Sequence, residues 1–66
     1  MNEATRAASR YIINSHQCID SLKMSPCING EQFKIRFKAM FDYKRICDIF
    51  EVDWNAVYEE VIGKIN

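Results

Sequence analysis

The 66-residue sequence predicts an all-α domain, a small bundle of about four helices that ends in a closely packed helical pair. Three observations predict it. Apolar residues recur at spacings of three and four in successive stretches. Side chains suited to capping a helix, Asn29, Asp42 and Asp53, stand just ahead of three of those stretches. Chain-breaking residues are scarce, with 2 Gly and 1 Pro, so few turns are available.

The elements follow in order. From Glu3 to Lys23, Ala4, Ala8, Tyr11, Ile12, Ser15, Ile19 and Leu22 form one apolar stripe, which predicts a single N-terminal helix within residues 1–24. Its narrow line of small residues could pack on the rest of the domain or against a second copy. Ser25-Pro26 ends it, because the residue before proline is pushed out of helical geometry. Asn29-Gly30 marks the next turn.

A second helix is expected near Glu31. Asn29 is its N-cap and Gln32, three residues on, resembles a capping box. Phe33, Phe37, Met40 and Phe41 then share a face. A strand reading competes over 33–37, where Phe33, Ile35 and Phe37 alternate with Lys34, Arg36 and Lys38. Helix is preferred, since the spacing continues to Met40 and Phe41 and a lone strand has no partner here. Asp42 is expected to cap a third helix with Ile46, Ile49 and Phe50 inward. Asp53 is expected to cap a fourth, with Trp54, Val57, Val61, Ile62 and Ile65 supplying apolar contacts. Residues 1–66 are thus read as one domain, an N-terminal helix over 1–24 and a trihelical unit over 29–66.

Composition limits the function. One domain this short buries a modest core even with 48% hydrophobic residues, and a homodimer is one way to enlarge it. No apolar run approaches the roughly 20 residues of a membrane span, and MNEATRAASR has no signal-type apolar stretch. The reading is therefore a cytoplasmic protein with no membrane partner. The 3 cysteines, Cys18, Cys27 and Cys47, are odd in number and fit reduced thiols. With His16 they have the residue types of a Cys3His zinc site, but their spacing matches no ligand knuckle, so buried thiols are preferred and no metal or cofactor is assigned. No Ser/His/Asp order, glycine-rich phosphate loop or paired-carboxylate site stands out, which argues against an enzyme.

Charge is balanced overall but uneven along the chain. Residues 32–45 carry Lys34, Arg36, Lys38, Lys44 and Arg45 against Asp42. Residues 46–66 carry Asp48, Glu51, Asp53, Glu59 and Glu60 against Lys64. Such a division serves mutual surface compensation, or a basic face for an anionic partner beside an acidic face for something else.

From Tyr43 onward, Cys47, Phe50, Glu51, Val52, Ala56, Val57 and Val61 follow a pattern of small, large and branched apolar positions. The pattern resembles the helix-turn-helix unit of repressor-type DNA-binding proteins. Glu51 stands where that family commonly has glycine, and Val61 falls one residue late. The resemblance covers about a third of the chain. It implies a DNA-binding transcriptional regulator, dimeric, with 53–65 as recognition helix. Asn55 and Tyr58 would then face bases or backbone, and Lys34, Arg36, Lys38, Lys44 and Arg45 would meet phosphates. The carboxylates of Asp53, Glu59 and Glu60 oppose this. The alternative is a protein-binding modulator or inhibitor that docks through Asp53, Trp54, Tyr58, Glu59 and Glu60, its acidic helix imitating nucleic acid.

Overall fold

Four helices make up the computed structural model, which describes residues 1–65: α1 (Glu3–Ile13), α2 (His16–Met24), α3 (Gly30–Lys44) and α4 (Trp54–Ile65). Among the described residues there is no strand. The all-α reading therefore holds, while the division of the chain into helices differs at two places.

The first difference is the N-terminal helix, expected as one piece to Lys23. It breaks at Asn14-Ser15. Asn14 leaves α1 with φ −90° and ψ 1°, and the hydroxyl of Ser15 accepts a hydrogen bond from Cys18 N to start α2. Asn and Ser bond locally to backbone in this way, which competes with helix propagation. The break lets α1 pack against α4 while α2, still in contact with α1, starts in its own direction. Ala8 and Ile12 are fully buried, joined by Thr5 and Ser9, and α2 contributes Cys18 and Leu22. The stripe of α1 is thus used inside the molecule.

α3 begins as expected. The Asn29 side chain accepts from Gln32 N at 3.0 Å, while Gln32 Oε1 reaches back to accept from Ile28 N at 2.9 Å, one residue before the cap. Residues 33–37 are helix, not strand. Phe33, Phe37 and Phe41 point into the core on one i, i+4 row.

The second difference follows α3. No helix starts at Asp42. α3 runs through that residue to Lys44 and stops at Arg45, which is left-handed at φ 53° and ψ 46°. Arg45 N donates to Asp42 O at 3.2 Å and Ile46 N to Phe41 O at 3.1 Å, the paired bonds of a Schellman ending. Positive φ therefore falls on Arg45 and not on Glu51. Residues 46–53 form a connection without helix. Ile49 is buried and Ile46 half-buried, but Phe50, expected inward, is 86% exposed. Residues 29–65 accordingly hold two helices, not three.

That connection is pinned to the start of α1. Asn2 caps α1 by accepting from Thr5 N at 2.8 Å, and its Nδ2 donates to Glu51 O at 2.7 Å. Asp53 N donates to Thr5 Oγ1 at 2.8 Å. Asp53 then caps α4 through Ala56 N at 3.2 Å, as expected. Trp54, Val57 and Val61 are buried between α1 and α3, with Trp54 stacked on Phe41 at 5.7 Å and 25°.

Candidate binding surfaces

Three sets of side chains compete for a functional role: the α4 face, the basic residues, and the outward face of α3.

On α4, the two aromatic residues proposed as anchors are occupied by the fold. Trp54 is buried, which corrects the expectation that it points outward. A tryptophan at the first turn of a helix lies close to neighbouring elements, and here Phe41 supplies a stacking surface. Tyr58 is half-buried, its ring edge-to-face with Phe33 at 5.4 Å. Asp53, Asn55, Glu59 and Glu60 remain exposed. Asn55 lies against the first turn of α3, close enough that a Cβ on Gly30 would fall 2.5 Å from its backbone nitrogen and 2.7 Å from its Cα. Glu60 lines a cleft of about 190 Å³ together with Arg6 and Arg10 of α1.

The basic residues are not gathered into one surface. Arg36 turns inward. Its Nη1 donates to the carbonyls of Ser21 and Ser25 and its Nη2 to Ser25 Oγ at 3.3 Å, so it caps the C-terminal end of α2. Lys44 reaches Tyr11, donating to its hydroxyl at 3.3 Å with the ammonium 5.9 Å from the ring centre. Lys38 stands 6.0 Å from the ring centre of Phe50. Lys34 and Lys38 are half-buried along one flank of α3, and Arg45 is exposed at its end.

The outward face of α3 was not assigned from sequence. Ile35, Ala39 and Tyr43 follow one another at i, i+4, i+8, two residues out of step with Phe33, Phe37 and Phe41 and therefore about 200° round the helix. Ile35 is 75% exposed and Tyr43 88%. Ile28, in the loop just before the Asn29 cap, is also exposed. A groove of about 450 Å³ runs beside this row, lined by Lys34, Ile35, Lys38, Ala39 and Ile49, with Glu31 and Asp42 at its ends. Phe50 adds its exposed ring beside Lys38. The signal was present in the sequence. Ile35 interrupts the polar side of the phenylalanine stripe, and that interruption produced the alternating pattern over 33–37. A helix apolar on two opposite faces reads locally like a strand.

The cysteines are free. Cys18 and Cys27 are buried and Cys47, expected to be buried, is half-buried in the connection, lining a cleft with Ala4 and Ala7 of α1. Burial pushes the Cys27 thiol up, with Arg36 opposing it, and burial together with Asp48 pushes up that of Cys47. Among the described residues no three His, Cys, Asp or Glu side chains converge as metal ligands, and no helix is long and apolar enough to cross a membrane.

The class that fold and surface define is a small all-α domain with an apolar helix face open to its surroundings. Comparison with protein-family models, curated proteins and solved structures finds no match.

Proposed function

We propose that this chain is a small, non-enzymatic, cytoplasmic regulatory protein that binds another protein through the outward face of α3 and Phe50. The observation that carries the reading is the exposure of Ile35 and Tyr43 on the side of α3 opposite its buried row, together with the exposed Phe50 of the 46–53 connection, whose ring lies beside Lys38. A soluble helix normally has one apolar face, and a second one marks an interaction surface. Aromatic and branched side chains framed by lysines are the usual composition of a docking centre and its rim.

DNA binding by α4 has less support. Its exposed turn presents Asp53, Glu59 and Glu60 to a phosphate-lined groove, and Arg36 and Lys44 are engaged within the fold. Docking through the α4 aromatics is likewise weakened, because Trp54 is buried and Tyr58 packs on Phe33. Free thiols fit a reducing compartment.

The test compares capture from lysate by the full chain and by two double variants. Ile35→Glu with Phe50→Glu should lose the captured protein, while Glu59→Lys with Glu60→Lys should keep it. The reverse pattern would move the docking surface to α4. Tight, steeply salt-dependent binding to mixed duplex DNA by the unmodified chain would return the DNA reading to first place.

A further inference from the structure

We propose that Ser25 is a phosphorylation site, its hydroxyl offered to a serine kinase that reads the following proline, and that Arg36 holds the phosphate it gains.

Accessibility singles out Ser25. The Ser and Thr hydroxyls of the chain belong to Thr5, Ser9, Ser15, Ser21 and Ser25. Thr5 and Ser9 are buried in α1, and Ser21 is half-buried within α2. Ser15 is half-buried and caps α2 by accepting from Cys18 N. Ser25 alone among them is exposed, in an exposed run from Lys23 to Pro26. It is also off the helix, with φ −142° and ψ 85°, since Pro26 pushes the residue before it out of helical geometry. A kinase takes its acceptor from accessible, non-helical chain. Pro26, the chain's 1 proline and itself exposed, marks the position.

Arg36 argues for the second half. Its Nη2 donates to Ser25 Oγ at 3.3 Å, and its Nη1 donates to Ser21 O at 3.3 Å and to Ser25 O. These acceptors are all neutral. A phosphoryl group on Oγ brings its oxygens within reach of the same guanidinium, whose planar fork matches phosphate geometry. Ser25 is the C-cap of α2, and at that end the helix dipole disfavours added negative charge. Arg36 therefore decides the sign. With it, the phosphate ties the end of α2 to α3; without it, the phosphate loosens the last turn of α2.

The donor is ATP. Ser25 Oγ gives its proton to the kinase's catalytic carboxylate and bonds to the γ-phosphorus, while the bond from that phosphorus to the β–γ bridging oxygen breaks and ADP leaves.

The experiment is incubation of the full chain with ATP, magnesium and a proline-directed serine/threonine kinase, read by mass spectrometry, phosphorus NMR and urea unfolding. A single phosphoryl group mapped to Ser25 is expected, and Ser25→Ala and Pro26→Ala should each take none. In the folded chain the phosphoserine should titrate below its usual value of about 6, and return to that value in urea. Arg36→Gln should return it without urea. Phosphorylation should raise the urea midpoint of the parent chain and lower that of Arg36→Gln. The NMR comparison of folded and urea-unfolded chain uses no variant, so it decides even if Arg36→Gln does not fold. A chain that takes no phosphate, or takes it at another residue, overturns the site. A phosphate that titrates at its usual value in the folded chain, or lowers the parent chain's urea midpoint, overturns its capture by Arg36.

Discussion

The hydroxyl of Thr5 accepts a hydrogen bond from the backbone N–H of Asp53 at 2.8 Å, with Thr5 only 1% exposed. The bond joins the first turn of α1 to the N-cap of α4 across 48 positions of sequence. Removing the hydroxyl would leave a part-buried donor unsatisfied. Thr5→Val keeps the shape and should cost about 1–3 kcal/mol in urea unfolding, with Thr5→Ser losing less. An unchanged midpoint for Thr5→Val would show that the bond contributes nothing net.

Gly30 gives a test of sign. Replacing glycine by alanine within a helix ordinarily stabilises by up to about 1 kcal/mol. At Gly30 the new methyl would meet the backbone of Asn55, which cannot swing away as a side chain can. Gly30→Ala should therefore destabilise, by about 1–3 kcal/mol as overpacking does. Thermal unfolding would measure it, and a stabilised variant would mean that the start of α3 sits farther from α4.

Ile49 and Phe50 separate a connection from a helix over 46–53. Ile49 is buried, so Ile49→Ala should cost about 2 kcal/mol, the low end for a loss of this size in a core. Phe50 is open to solvent, so Phe50→Ser should stay within about 0.5 kcal/mol. Comparable losses at both positions would put Phe50 in the core after all.

Burial first, and the Asp48 carboxylate second, disfavour the thiolate of Cys47. Its alkylation by iodoacetamide should have a pH midpoint above the ordinary 9.0, and Asp48→Asn should lower that midpoint. The sign for stability follows. The unfolded thiol loses its proton at lower pH than the folded one, so the stabilisation present below about pH 9 is lost as pH rises through the folded value. A midpoint at or below 9.0 in the folded chain would contradict both statements.

Much of the fold is legible in local patterns. The Asn29 cap, the Phe33–Phe37–Phe41 row and the Asp53 cap with Val57 and Val61 behind it stand where spacing puts them. The surface was less legible. Arg36 and Lys44 look like free cations in sequence, yet one closes the end of α2 and the other binds Tyr11. Trp54 looks like an outward anchor and is stacked on Phe41. Ile35 was visible as an irregularity, but only the position of α4 on the far side of α3 shows which face it leaves open.

By itself the sequence determined the class, the start of α3, the start of α4 and the apolar line of each. Those depend on residues within four positions of one another, the range over which caps and helical periodicity act. Tertiary structure decided where α3 stops and that 46–53 is not a helix. At Asp42, local signals favour ending one helix and starting another. The chain instead continues to a left-handed Arg45, and the following connection satisfies its backbone groups on Asn2 and Thr5. Those partners lie 49 and 48 positions away in the sequence, where no short-range pattern can record them.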